Sequence, residues 1–127
     1  MTTAIVCIAL LSALLFILGF NVSRLRGKSA SQQPTAMDDP LFVAIRAHGN
    51  AAEYIPTLAV LMLIVGSHDP ATWMLAAIAV ATAARFVHAV GVLRAGDMSQ
   101  PVPLRMIGAI TTYVAGLTLS VAAVLVL

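Results

Sequence analysis

A cluster of charged and polar residues interrupts the second of four apolar stretches in this sequence, at Arg46-Ala-His48-Gly-Asn50-Ala-Ala-Glu53-Tyr54. On insertion scales an ionisable group at membrane depth costs about 3 kcal/mol, so such groups rarely persist without a function. Arg46, Asn50 and Glu53 follow the i, i+4, i+7 spacing that places side chains on one face of a helix. A cation, an amide and an anion in one row suit a small zwitterionic ligand that carries carboxylates and an ammonium.

Two more polar residues, Arg85 and His88, lie three apart in the third apolar stretch. A buried ion pair between Arg85 and Glu53 is expected, because pairing makes both charges tolerable inside a bilayer. Such a pair is compatible with a ligand role for either residue. Arg46 and Arg85 also lie nearer than Glu53 to the helix ends that basic linkers flank. The sequence therefore predicts a pocket for an anion with an amine at one end.

Other common chemistries find little support in the sequence. The three histidines, His48, His68 and His88, do not share a spacing typical of metal ligands, and no metal site is predicted. His48 lies off the charged face and is expected to make an interhelical hydrogen bond. Cys7 is the single cysteine, which allows no internal disulfide and is expected to pack as a small hydrophobic residue. The sequence contains no nucleophile elbow, phosphate-binding loop or paired catalytic carboxylates.

Four hydrophobic helices are expected to position these residues. Of the 127 residues, 61% are hydrophobic and 9% are charged, which is typical of an integral membrane protein and offers no basic patch for nucleic acid. Each apolar stretch meets the roughly 20 residues that a helix needs to cross a bilayer. The sequence predicts an all-α, four-transmembrane-helix bundle in one domain, residues 1–127, with helices at about 3–22, 41–66, 71–93 and 104–127.

The charges in the linkers predict how the bundle is oriented. The linkers after the first and third helices share one side and hold the basic residues Arg24, Arg26, Lys28, Arg94 and, at the membrane edge, Arg105. The opposite side has no Lys or Arg. By the positive-inside rule these two linkers face the cytoplasm and both termini face outside. The basic cluster follows the first apolar run instead of preceding it, so a cleaved signal peptide is not expected.

Small residues in the third and fourth stretches favour close packing between helices. The third stretch is rich in alanine, and Gly108 and Gly116 lie in the fourth. Small side chains let membrane helices approach each other closely. Packing within one chain and packing in an oligomer interface are equally consistent with this pattern.

The motif Arg46-x-x-x-Asn50-x-x-Glu53-Tyr54-x-Pro56 inside an apolar segment resembles the family of membrane-associated proteins in eicosanoid and glutathione metabolism (MAPEG). The chain is most similar to short bacterial members, and the resemblance covers essentially its whole length. It implies a homotrimer, embedded in the bacterial inner membrane, that binds glutathione or a related thiol between neighbouring subunits near the cytoplasmic face.

The resemblance also implies roles for residues of the first two helices. Arg24 matches a position from which one subunit supplies an arginine to glutathione. Arg46 and Asn50 match positions that hold or organise the tripeptide. Glu53 matches the acid that receives the ammonium of the γ-glutamyl group, and Tyr54 matches a tyrosine found beside that acid in some members.

Residues of the third and fourth helices complete the implied site. Arg85 and His88 match positions that line the same pocket. Arg105, in Pro103-Leu104-Arg105, matches an arginine placed to stabilise the glutathione thiolate, which makes it the candidate catalytic residue. A guanidinium favours the thiolate because its positive charge lowers the pKa of a neighbouring thiol.

Departures from the family pattern bear on the function. Gly49 stands where eicosanoid-forming members can have another arginine, and Val92 where some have a glutathione-contacting tyrosine. Met106 and Ala109 replace polar or aromatic neighbours of the thiolate arginine. These replacements argue against a specialised eicosanoid synthase. Met106 and Ala109 adjoin the thiolate arginine, so the binding half of the site is better preserved than the chemical half.

The implied function is a thiol-dependent transferase or peroxidase that acts on lipophilic electrophiles arriving from the bilayer. The first alternative is a non-catalytic membrane protein that binds a thiol or an amphiphile, or a structural membrane subunit. A small four-helix drug exporter is a weaker alternative, because its expected acidic residue in the first helix is absent here.

Overall fold

The computed structural model describes residues 1–127, which form four α-helices joined by three linkers. The helices are α1 (Thr2–Arg26), α2 (Pro40–Ser67), α3 (Thr72–Ala95) and α4 (Pro103–Leu125). Each is long and apolar enough to cross a membrane. The prediction of four long apolar helices is therefore confirmed. The largest difference is at the end of α1, which runs past the predicted boundary and carries the basic residues Arg24 and Arg26 in its last turn.

The helix boundaries have local causes in the sequence. Asp39 caps α2, because its carboxylate accepts hydrogen bonds from the Leu41 and Phe42 amides at 2.7 and 3.4 Å. Pro40 and Pro103 occupy the first positions of α2 and α4, where a missing N–H costs nothing. Gly96 ends α3 at a φ of 66°, a conformation that glycine adopts without strain.

The helices pack as two closely associated pairs. α1 packs mainly on α2, and α3 packs mainly on α4, while α2 also contacts both α3 and α4. Buried apolar side chains of all four helices form one continuous core. The Met98 amide donates a hydrogen bond to the Met37 carbonyl at 2.9 Å, so linkers 27–39 and 96–102 meet at one end of the bundle. We call this the linker end, and it carries the basic residues.

Two glycines allow α3 and α4 to approach until their backbones touch. A Cβ atom added to Gly91 would run into the backbone of Arg105, and one added to Gly108 would run into the backbone of His88. Gly116 differs, because a Cβ atom there would meet Leu58 at an ordinary 3.8 Å. Close packing within one chain therefore explains the glycine at position 108. It does not require a glycine at position 116.

The outer surface of the bundle is strongly apolar. Large hydrophobic side chains are exposed along its length, including Phe16 at 78% and Leu117 at 71%. Such a surface is suited to contact with lipid and not to contact with water. α2 remains helical through Pro56, and that residue faces outward.

Candidate functional site

A buried arginine lies at the centre of the polar residues. Arg85 of α3 is only 1% exposed, and its Nη2 donates a hydrogen bond of 2.7 Å to Oδ1 of Asn50 on α2. The guanidinium carbon also lies over the Tyr54 ring, 5.2 Å from the ring centroid. The aromatic face attracts the cation, and the charged donor strengthens the bond to the amide. The sequence motif of α2 and the arginine of α3 thus meet in one cluster.

A pair of tyrosines extends this cluster to α4. The Tyr54 hydroxyl donates to the Tyr113 hydroxyl at 3.1 Å, and the two ring centroids lie 5.7 Å apart. Asn50, Arg85 and Tyr113 each lie about 15 Å along their helices from the linker end, at 1.5 Å per residue. Tyr113 was not among the predicted site residues. Its signal in the sequence is the polar triplet Thr111-Thr112-Tyr113 within an apolar helix.

The prediction of a buried Glu53–Arg85 ion pair is wrong. Glu53 is exposed on the outer face of α2, whereas Arg85 is buried and bonds to Asn50. The error has a simple geometric cause, since Asn50 lies about 60° around the helix from Glu53 and on the side nearer α3. The Nε of Arg85 is buried without a hydrogen-bond partner. No carboxylate therefore neutralises this cation within the chain.

The charged face of α2 points away from the bundle. Arg46 and Glu53 are both exposed, and Asn50 is half-buried at the edge of the face. Glu53 lies about 20 Å along α2 from Pro40, near the middle of the helix. A single chain in lipid would expose this carboxylate at membrane depth, which is costly.

A second pair of predicted residues links α3 to the start of α4. His88 is 6% exposed, and its Nδ1–H donates to the backbone carbonyl of Arg105 at 2.9 Å. The Arg105 side chain is half-buried. Its Nη1 donates to the Met98 carbonyl at 3.4 Å and lies 3.7 Å from the Met98 sulfur. The candidate catalytic arginine is thus held at the linker end of the bundle.

Arg24 is separate from both clusters. It is exposed near the end of α1, and its Nη2 donates to Oδ1 of Asn21 at 2.8 Å within the same helix. His48 is half-buried between α1 and α2, where a Cβ atom on Gly19 would lie 3.2 Å from its Nε2. No group of three or more His, Cys, Asp or Glu side chains is placed to hold a metal ion.

An outward-facing groove of about 350 Å³ runs between α2 and α4 beside the tyrosine pair. Tyr54 and Tyr113 lie at one part of its lining, and Leu61 and Leu117 at another. Threonine and serine hydroxyls add a few polar groups to walls that are mostly apolar. The shape and lining suit an amphiphile or the apolar body of a lipophilic molecule.

Comparison with known proteins decides the family. Residues 4–125 match the sequence pattern of the MAPEG family. This chain belongs to the MAPEG family. The match extends over nearly the whole chain and confirms the resemblance that the α2 motif carried. The cluster of Asn50 and Tyr54 around the buried Arg85 is thus part of a MAPEG bundle.

Two curated relatives share sequence with this MAPEG chain. Both are inner membrane protein YecN, one from Escherichia coli strain K12 and one from E. coli O6:H1 strain CFT073. Each is 45% identical over 67 residues, which cover 52% of this chain and 51% of the relative. The chain spans about half the length of the curated relatives it matches.

Within this MAPEG chain the predicted site residues fall into three groups. Asn50 and Tyr54 contact the buried Arg85 in one cluster, and His88 joins Arg105 near the linker end. The remaining three, which are exposed on the bundle surface, are Arg24, Arg46 and Glu53. The single chain therefore leaves the predicted site residues in three separate places and does not gather them into one pocket.

Proposed function

We propose that this MAPEG protein binds glutathione or a related thiol between the subunits of a homotrimer and transfers the thiol to lipophilic electrophiles. The observation that carries the proposal is the exposed Arg46 and Glu53 face at membrane depth, next to an unneutralised buried Arg85. An exposed carboxylate in the middle of a membrane helix requires a cover that is not lipid. A neighbouring copy with a zwitterionic ligand supplies such a cover.

The charged residues of α2 are suited to bind opposite ends of the ligand. Glu53 is suited to receive the ligand ammonium, and Arg46 a carboxylate. Arg85 of α3 adds a buried positive charge beside the inner side of α2, where Asn50 and Tyr54 hold it. Arg24 lies at the basic end of α1, and in the trimer the Arg24 of one subunit would reach the ligand bound at the boundary with its neighbour.

Arg105 is the proposed catalytic residue, acting near the linker end. Its guanidinium stabilises the thiolate of the bound thiol and lowers the thiol pKa. The thiolate sulfur then forms a bond to the electrophilic carbon, and the leaving group departs with the bonding electron pair. With a hydroperoxide, two thiols are oxidised to one disulfide while the peroxide is reduced to an alcohol and water. The groove between α2 and α4, whose lining begins at Thr112 about 10 Å along α4 from Arg105, offers the lipophilic substrate an apolar surface on the bilayer side of the bundle.

The membrane orientation is part of the same proposal. The linker end carries the basic residues, so it faces the cytoplasm and both termini face outside. The relatives' name places YecN in the inner membrane, and we assign this chain to the bacterial inner membrane as well.

A second candidate function is binding of a thiol or amphiphile without catalysis. The contacts of Arg105 with the carbonyl and sulfur of Met98 favour it, because they occupy part of the guanidinium that the thiolate needs. The two functions differ in one measurable property, the ionisation of the bound thiol.

The test uses purified full-length protein in detergent with glutathione as the probe. Glu53→Gln should weaken binding by roughly 2–5 kcal/mol, because a desolvated ammonium loses its charged partner. Asp69→Asn is the matched control, since it removes one carboxylate from the exposed α2–α3 linker at the opposite end of the bundle. Equal affinities in the two variants would contradict the binding site.

Arg105→Ala tests the catalytic role separately. It should keep most of the affinity for glutathione, raise the pKa of the bound thiol and slow conjugation of 1-chloro-2,4-dinitrobenzene. Ultraviolet absorbance of the thiolate, followed against pH, reports the ionisation directly. An unchanged thiolate titration would remove Arg105 from the mechanism and favour the non-catalytic function.

A further inference from the structure

We propose that His88 is a positioning residue, which places Arg105 through its Nδ1–H and does not contact the thiol with that nitrogen. This inference rests on the proposed function, because it explains how the catalytic arginine is held. It changes the role that family resemblance implies for His88, from a residue that lines the ligand pocket to one that acts through the backbone of α4.

The hydrogen bond defines which nitrogen is used. Nδ1 of His88 lies 2.9 Å from the Arg105 carbonyl oxygen, and a carbonyl only accepts, so Nδ1 carries the hydrogen. His88 is 6% exposed, and Gly108 lies against its backbone. Nδ1 is therefore committed to α4, and only Nε2 remains for any other partner.

The start of α4 has few other polar contacts to hold it. Val102, the residue before the helix, makes no side-chain capping bond. The His88–Arg105 bond is the one hydrogen bond that joins α3 to α4. Gly91, which lies on α3 like His88, packs against the Arg105 backbone. α3 thus holds the first turn of α4 by one close backbone contact and one side-chain bond, and the Arg105 side chain adds a longer bond to the Met98 carbonyl in the linker.

Loss of this bond should therefore move the Arg105 backbone. A displacement of about 1 Å at a reacting group can cost about 100-fold in rate. A positioning role predicts an effect on thiolate formation and turnover larger than any effect on thiol affinity. A direct ligand role for His88 predicts the reverse.

Two amide substitutions separate the roles. The side-chain nitrogen of Asn occupies the place of Nδ1, and that of Gln occupies the place of Nε2. His88→Asn should retain the thiolate pKa and turnover within about threefold of the wild type, whereas His88→Gln and His88→Leu should raise the pKa and slow turnover by about 10- to 100-fold. Thr82→Val is the control, because it removes a buried hydroxyl of α3 that bonds within its own helix. It should leave the titration unchanged.

Calorimetric titration of glutathione into each variant provides the opposing outcome. If His88→Gln keeps both full affinity and wild-type turnover while His88→Asn loses both, His88 acts on the thiol through Nε2 and the positioning role is wrong. Equal thiolate pKa values in His88→Leu and the wild type would overturn it as well.

A further readout does not depend on catalysis. Nitrogen-15 NMR of the wild type should show the Nδ1–H tautomer of His88, and amide exchange in the first turn of α4 should be faster in His88→Leu than in His88→Asn. If glutathione does not bind, the proposed function fails, while this result alone decides the positioning contact. An Nε2–H tautomer, or equal exchange in the two variants, would refute the contact.

Discussion

Replacement of Asn50 by leucine should destabilise the bundle through Arg85. Arg85 is 1% exposed and donates to a single side-chain acceptor, Oδ1 of Asn50 at 2.7 Å. Its Nε already lacks a partner, so no spare acceptor lies nearby to replace the amide. The remaining interaction is with the Tyr54 ring at 5.2 Å. Asn50→Leu therefore leaves a buried cation with an aromatic contact alone.

The size of the effect follows from these contacts. A hydrogen bond to a charged group contributes about 1.5–3 kcal/mol to stability, and its loss inside a buried site falls at the upper part of that range. The cation–π contact, about 0.5–2 kcal/mol, is retained. We expect Asn50→Leu to lower the free energy of unfolding by about 2–3 kcal/mol. Arg85→Met combined with Asn50→Leu should recover most of this loss, because two apolar side chains leave no unsatisfied group.

Reversible unfolding in mixed detergent micelles, without thiol, measures all four members of this double-mutant cycle. Asn21→Leu is the matched control, since Asn21 also accepts from an arginine, but from the exposed Arg24. Its effect should stay within about 0.5 kcal/mol, as for most exposed sites. The reasoning fails if Asn50→Leu behaves like the control, or if the two substitutions at the cluster add within about 0.5 kcal/mol.

Three further predictions concern packing, titration and orientation. Gly91→Ala should lower the free energy of unfolding by about 1–3 kcal/mol, because its Cβ meets the backbone at the start of α4. Gly49→Ala is the control and should not lower it, because a Cβ atom there meets nothing within 4 Å. Equal effects of the two substitutions would contradict the close approach of α3 and α4. Hydrogen bonds from the Ser99 side chain and amide hold the pKa of the Asp97 carboxyl below its ordinary value. The lowered pKa of Asp97 stabilises the folded state at pH values above the pKa of this group in the unfolded chain, and this stability is lost as the pH falls through its pKa in the folded chain. Ser99→Ala should raise the pKa of Asp97. An unchanged carbon-13 titration of the Asp97 carboxyl would refute the contact. Leu127→Cys should react with a membrane-impermeant maleimide from the periplasmic side, and reaction only from the cytoplasmic side would reverse the proposed topology.

The helices were predictable because each one carries its own signal. Length and hydrophobicity identify a membrane helix without knowledge of its neighbours, and prolines and glycines mark where it begins and ends. The extension of α1 through Arg26 was missed because the predicted boundary followed the apolar residues. The helical hydrogen bonds continue one turn beyond them into the basic segment.

Contacts between helices were harder to predict. The spacing of Arg46, Asn50 and Glu53 correctly placed them near one face, but it contained no information on which neighbour covers each edge. Arg85 consequently bonds to Asn50, although charge alone suggested Glu53. Tyr113 joins Tyr54 across a sequence separation that no periodicity within one helix reveals.

Pro56 gives the outer face of α2 an additional acceptor. Proline has no N–H, so the carbonyl of Ala52 one turn earlier loses its usual helical donor. Ala52 and Glu53 are both exposed, so the carbonyl that lacks its helical donor belongs to the residue next to the carboxylate. An ammonium has three N–H donors and no acceptor. In the proposed thiol site these two residues would offer acceptors that match the donors of the ligand's primary amine, so that an alcohol or a quaternary ammonium of similar size would leave part of the face unpaired.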